Sequence, residues 1–159
     1  MKNKTNTHMV YGILLVLSLF LFGDTNVCTA EQPKDKTTLR DVKQETEDLL
    51  QELEKYTAAQ KNQAIQKTKA AIEDLDERIT ALETRIDTKW DKMSKVTRKK
   101  ARAGMRMIRA KRIQAAEAFG SMQSSSADAW EHMKKGFSDA YQELYDAWQK
   151  SEAEFNAGP

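Results

Sequence analysis

The stretch IQKTKAAIEDLDERITALETRIDTK, residues 65–89, places Ile65, Ile72, Ile79 and Ile86 seven residues apart. Leu75 and Leu82 follow the second and third of these by three residues, and the series runs on to Met93 and Val96. This is an a/d pattern with Ile at a and Leu at d. A stripe that repeats every 3.5 residues suits a helix wound against another helix, and it has no use on an isolated one. The pattern predicts a rod with a coiled-coil surface rather than a globule built around a pocket.

Working outward, an earlier apolar series runs Leu39, Val42, Leu49, Leu53 and Tyr56 with spacings of three and four or their sums. Its phase slips before Ile65, across the polar run Gln60-Lys61-Asn62-Gln63, so a bend is expected near 57–64. Between Lys34 and Gly158 there is no proline, and only Gly104, Gly120 and Gly136 interrupt the interior. No alternating β-branched run or Asn-Gly turn suggests a strand. The cluster Gly120-Ser121-Met122-Gln123-Ser124-Ser125-Ser126 reads as a turn, with Ser125 and Asp128 spaced like a capping box. After it, Trp130, Tyr141 and Trp148 fall on one helical face with Phe137, Leu144 and Phe155. The expected fold is therefore all-α: a long coiled-coil helix over 31–119, a turn over 120–126, and a shorter amphipathic helix over 127–156 folding back as a hairpin.

The first thirty residues read as an export signal. Lys2 and Lys4 precede an apolar core from Val10 to Phe22, and Cys28-Thr29-Ala30 offers small residues for cleavage before Glu31. That core is short for a membrane span, which needs about 20 apolar residues. An uncleaved anchor and a lipoprotein acylated at Cys28 remain as alternatives, the second against a poor lipobox. The expected address is the periplasm. Cleavage after Ala30 leaves no cysteine, so packing alone must hold the exported chain together.

Charge divides the chain. Residues 92–116 carry ten bases and no acid: Lys92, Lys95, Arg98, Lys99, Lys100, Arg102, Arg106, Arg109, Lys111 and Arg112. Residues 117–159 carry eight acids and three bases. Two readings follow. In one, the acidic C-terminal helix folds back along the basic segment, with Met105, Ile108 and Phe119 receiving Trp130, Phe137, Tyr141, Leu144 and Trp148. In the other, Arg98, Lys99, Lys100, Arg102, Arg106, Arg109, Lys111 and Arg112 contact an anionic lipid or envelope polymer. An exported protein rarely meets nucleic acid, which disfavours that partner. With the second helix too short to cover both surfaces, the Ile/Leu seam is expected to form a homodimer of open orientation; Ile at a with Leu at d favours a parallel pair, in which Arg78 would face Glu83 of the other copy.

Residue types suited to catalysis are scarce. Past residue 30 the chain has no cysteine and one histidine, His132. Asp128 and His132 stand four apart on a helix, without a third metal ligand beside them. The glycines lack phosphate-loop spacing. A non-enzymatic protein with no metal and no cofactor is expected.

The segment SSSADAWEHMKKGFSDAYQELYDAW, residues 124–148, resembles the C-terminal part of a family of small bacterial coiled-coil proteins. The shared pattern lies at Ala129-Trp130-Glu131-His132-Met133-Lys134-Lys135-Gly136. The resemblance implies a two-helix coiled-coil hairpin, a stress-linked role, and no active site to carry over.

Overall fold

The computed structural model describes residues 39–157, which belong to one compact unit, Lys34–Pro159. The expected signal segment and the alternatives at Cys28 lie outside the described residues. Within them the chain forms helices α1 (Leu39–Lys55), α2 (Lys61–Lys89), α3 (Lys95–Ser124) and α4 (Trp130–Asn156), with short 3-10 turns at Ala58–Gln60 and Trp90–Lys92 and no strand.

The single long helix expected over 31–119 is thus interrupted twice. The first interruption falls at Tyr56–Gln60, overlapping the start of the bend expected near 57–64. There the orphan carbonyls at the end of α1 find donors on α4. The Lys134 amine donates to the Glu54 and Tyr56 carbonyls at 3.0 and 2.9 Å, and the Trp130 indole N–H donates to the Tyr56 carbonyl at 2.9 Å. The second interruption, at 90–94, has no glycine or proline to announce it. Met93 is extended (φ −80°, ψ 144°), and the Ser94 side chain caps α3 by accepting from the Thr97 amide at 3.1 Å. Arg98 reaches back to donate to the Trp90 and Asp91 carbonyls at 2.9 and 3.1 Å. The end of α2 is thereby sealed by the start of α3.

These breaks let the chain reverse repeatedly. Arg78 of α2 pairs with Glu45 of α1 at 2.9 Å, and Lys67 with Glu52, so the two run antiparallel. Arg109 and Arg112 of α3 pair with Glu83 and Asp76 of α2 at 2.9 and 2.6 Å, again antiparallel. Against α3, α4 reverses once more: Lys111 meets Glu143 at 2.7 Å, and Phe119 meets Phe137 edge-on at 6.1 Å between centroids. Four helices alternating in direction surround a common core in which α4 contributes Trp130, Phe137, Tyr141, Leu144, Tyr145, Ala147 and Trp148.

This arrangement corrects one premise behind the expected homodimer, that the Ile/Leu seam is uncovered within its own chain. Ile65, Leu75, Ile79, Leu82, Ile86 and Met93 are buried, and Ile72 is half-buried against the same core, within one chain. The premise that the seam lacks an internal partner fails because α1, α3 and α4 all return to α2. Within the chain, Arg78 binds Asp74 and Glu45, while Glu83 binds Arg109. Val96, the last residue of the seam's phase, is 66% exposed, since Met93 and Ser94 reset the helix.

The serine cluster also behaves differently from the expected turn. Helix α3 continues through it to Ser124 because fully buried Met122 extends the stripe Met105, Ile108, Ala115. The hydroxyls of Ser121 and Ser124 fold onto the Glu117 and Gly120 carbonyls at 2.9 Å each, which keeps them compatible with a helix. Ser125 closes α3 by bonding the Met122 carbonyl, and Ser126, not Ser125, accepts from the Ala129 amide at 3.3 Å.

At one glycine, close approach is the reason for the residue. A Cβ on Gly104 would stand 2.5 Å from Ser151 Oγ and 3.1 Å from its Cβ, so α3 and α4 touch there nearly backbone to side chain. Alanine gains about 1 kcal/mol of helix propensity but loses about 1–3 kcal/mol to overpacking. Gly104→Ala is therefore expected to cost about 1 kcal/mol in the native background and nothing, or less, in Ser151→Gly. Urea titration of the four-member cycle reads this coupling directly.

Candidate functional site

The buried charged groups among the described residues are committed to structure. Lys134, almost wholly buried, is held by the end of α1 and by Glu131 at 2.7 Å. Glu152, also buried, pairs with Arg85, whose guanidinium and the Lys89 amine both lie over the Phe155 ring. A shallow cleft of about 340 Å³ between α1, α2 and α4 is lined by Val42, Glu45, Thr46, Asp74, Arg78 and Tyr141. Its charged members pair with one another, so it offers an ion-pair cluster rather than an unmet ligand-binding group.

Burial, reinforced by the negative charge of Asp74, pushes the Tyr141 phenol well above its ordinary value of 10.0. The hydroxyl donates to the Ala71 carbonyl at 3.2 Å. A raised folded-state value means the neutral phenol is favoured by the fold. Its contribution is complete below about pH 10 and lost as pH rises toward the folded-state value. Stability should therefore fall above about pH 10, and Tyr141→Phe should flatten part of that fall. Denaturant titrations of both proteins between neutral pH and pH 11 check the difference.

The remaining chemistry sits on α3. Arg98, Arg109, Lys111 and Arg112 are engaged, as the acidic-arm reading expects of Lys111, though Arg109 and Arg112 reach α2 rather than α4. The Arg102 guanidinium lies 4.7 Å from the centre of the Trp90 ring. Lys95, Lys99, Lys100 and Arg106 are exposed and make no ion pair among the described residues. The predicted polyanion set therefore divides: Lys99, Lys100, Arg102 and Arg106 face outward, while the other four knit the bundle.

The same outward side carries apolar residues. Val96, Ala103, Met107 and Ala110 are exposed and spaced by seven, four and three, one stripe along α3. The three exposed large hydrophobics of the described residues are Val96, Met107 and Ile113, at 66%, 50% and 59%. The sequence pattern puts Met105, Ile108 and Phe119 on the inner face of α3 and Val96 on the Ile/Leu seam. The spacing of Val96 and Met107, eleven apart, was the available sign of a second stripe.

Other candidate groups are dispersed. His132 and Asp128 are exposed, and among the described residues no group of three or more His, Cys, Asp or Glu side chains is placed to hold a metal. Among the described residues, no helix is long and apolar enough to cross a membrane. Residues that pattern reading passed over include Tyr145, Lys134, Glu152 and Met122, all buried. Tyr145 was legible as the residue four after Tyr141 and three before Trp148. No protein-family model matches the chain, and no curated protein or solved structure matches it.

Proposed function

We propose that this chain is an exported, non-enzymatic helical interaction protein of the bacterial envelope, with a stress-linked role as its C-terminal resemblance implies. Helices α3 and α4 form its coiled-coil hairpin, and the outer face of α3 is its working surface, which takes a polyanionic partner. One observation carries the reading: Lys95, Lys99, Lys100 and Arg106 project from a single helix face without ion pairs among the described residues, while neighbouring Arg109, Lys111 and Arg112 are paired. Clustered, unneutralised bases on a helix attract phosphate-bearing partners and lose that attraction as salt rises. The hairpin reading is supported by the matched contacts of Gly104 with Ser151, Lys111 with Glu143 and Phe119 with Phe137.

The test is fluorescence anisotropy of labelled polyphosphate titrated with the chain beginning at Glu31. Binding at low salt that weakens steeply with added salt, and weakens again in Lys99→Gln/Arg106→Gln, is the expected result. Absence of binding at every salt concentration contradicts it.

A further inference from the structure

We infer that the outer face of α3 is a docking surface for an anionic lipid bilayer. The inference rests on the polyanion reading above and narrows its partner. A soluble polyanion has charge to offer Lys95, Lys99, Lys100 and Arg106 but nothing for the apolar side chains set among them. A bilayer surface has both: phosphate headgroups for the bases and, a few ångströms deeper, acyl chain for the hydrophobes.

The placement on α3 fits that division. Val96, Ala103, Met107 and Ala110 form a stripe along the helix. Lys95, Lys99, Arg102, Arg106 and Ile113 fall along one flank of it, and Lys100 along the other, by helical spacing. Through residue 116 the helix carries no acid to repel an anionic leaflet, and Glu117 is the first beyond it. The inner face of the same helix is fixed against α4 and α2 through Met105, Ile108, Ala115 and Met122. Helix α3 is therefore held by the bundle while its outer side stays open. It differs from a free amphipathic helix, which must fold on the lipid. Docking needs no unfolding, so little ordering entropy opposes it.

The residues required lie in a unit with its own core, drawn wholly from residues 42–148. That core justifies testing the chain from Glu31, free of the apolar segment at Val10–Phe22. Each base near an anionic leaflet contributes roughly fivefold in partitioning. Lys99→Gln/Arg106→Gln should therefore weaken binding to vesicles of equimolar phosphatidylglycerol and phosphatidylcholine by about 25-fold. Met107→Ser/Ile113→Ser removes exposed side chains whose loss should leave the far-ultraviolet circular dichroism unchanged. It should weaken vesicle binding about tenfold while leaving polyphosphate binding as it was.

Co-sedimentation with those vesicles, with pure phosphatidylcholine vesicles as control and polyphosphate anisotropy in parallel, gives the reading. Anionic-vesicle binding that depends on both pairs of residues supports the inference. Polyphosphate binding without vesicle binding, or vesicle binding indifferent to Met107→Ser/Ile113→Ser, overturns the inference and leaves the polyanion reading intact. Failure to bind either probe overturns both.

Discussion

Trp130→Ala lowers the stability of the chain by about 3–5 kcal/mol, the range for truncating a fully buried large aromatic. The indole has 0% exposure at the start of α4, and it does two jobs at once. Its ring fills the space beneath the α1–α2 corner, and its N–H closes the Tyr56 carbonyl together with the Lys134 amine. Removing the ring leaves a cavity and withdraws one of two donors from a buried helix end. The buried amine of Lys134, 5.8 Å from the centre of that ring, loses its cover as well. The loss should fall first on α1, which reaches the rest of the fold through this corner and its own apolar stripe. Hydrogen exchange in Trp130→Ala should therefore rise across 39–55 before it rises in α3. Trp130→Phe, which keeps most of the ring but not the donor, should cost less than half as much. Equal loss in the two variants would assign the role to the hydrogen bond rather than to packing.

Leu82→Ala costs about 2–5 kcal/mol, and the form of the loss matters as much as its size. Leu82 lies in the middle of the Ile/Leu seam at 0% exposure, covered by helices of its own chain. A seam closed within one molecule loses stability by the same amount at every protein concentration. A seam closed by a second copy would give a melting temperature that climbs with concentration. Thermal melts of wild type and Leu82→Ala across a hundredfold range of concentration, on the order of micromolar to tenths of millimolar, separate the two cases. Concentration-independent curves are expected for both proteins.

What the chain's pattern discloses depends on whether the deciding interactions are local. The all-helical class is legible in residues 65–89, because a heptad of Ile and Leu has one secondary structure that fits it. The inward face of α4 is legible too, since Trp130, Phe137, Tyr141, Leu144 and Trp148 recur at helical spacing and all are buried. The break at 90–94 is not. It rests on Arg98 reaching the Trp90 and Asp91 carbonyls and on a Ser94 cap that resembles many unused serines. Without that break the seam had no internal partner in view, and a second copy was the natural answer. The serine cluster misled for the opposite reason. Its turn-forming side chains bond back within α3, and burial of Met122 decides the issue.

The candidate surface was half legible. Ten bases without an acid stand out in any reading of 92–116, but pairing is a property of the folded chain. Arg109 and Arg112 find Glu83 and Asp76 only because α3 returns along α2. Lys99 and Arg106, on the far side of the same helix, find none among the described residues. Of the three exposed hydrophobics, Val96 fits the seam by spacing, and its exposure follows from the break at 90–94.

The return of α3 along α2 helps to close the seam and sets which side of α3 stays open, so its direct test is a distance. Spin labels at Thr80→Cys and Ala110→Cys, both exposed positions, report it in a chain beginning at Glu31, which has no cysteine of its own. Neighbouring antiparallel helices, with axes roughly 8–10 Å apart, give a short distance that persists when labelled chains are diluted with unlabelled ones. A separation of about 45 Å, the span of thirty residues of unbroken helix, would contradict the fold. So would a short distance that vanishes on dilution.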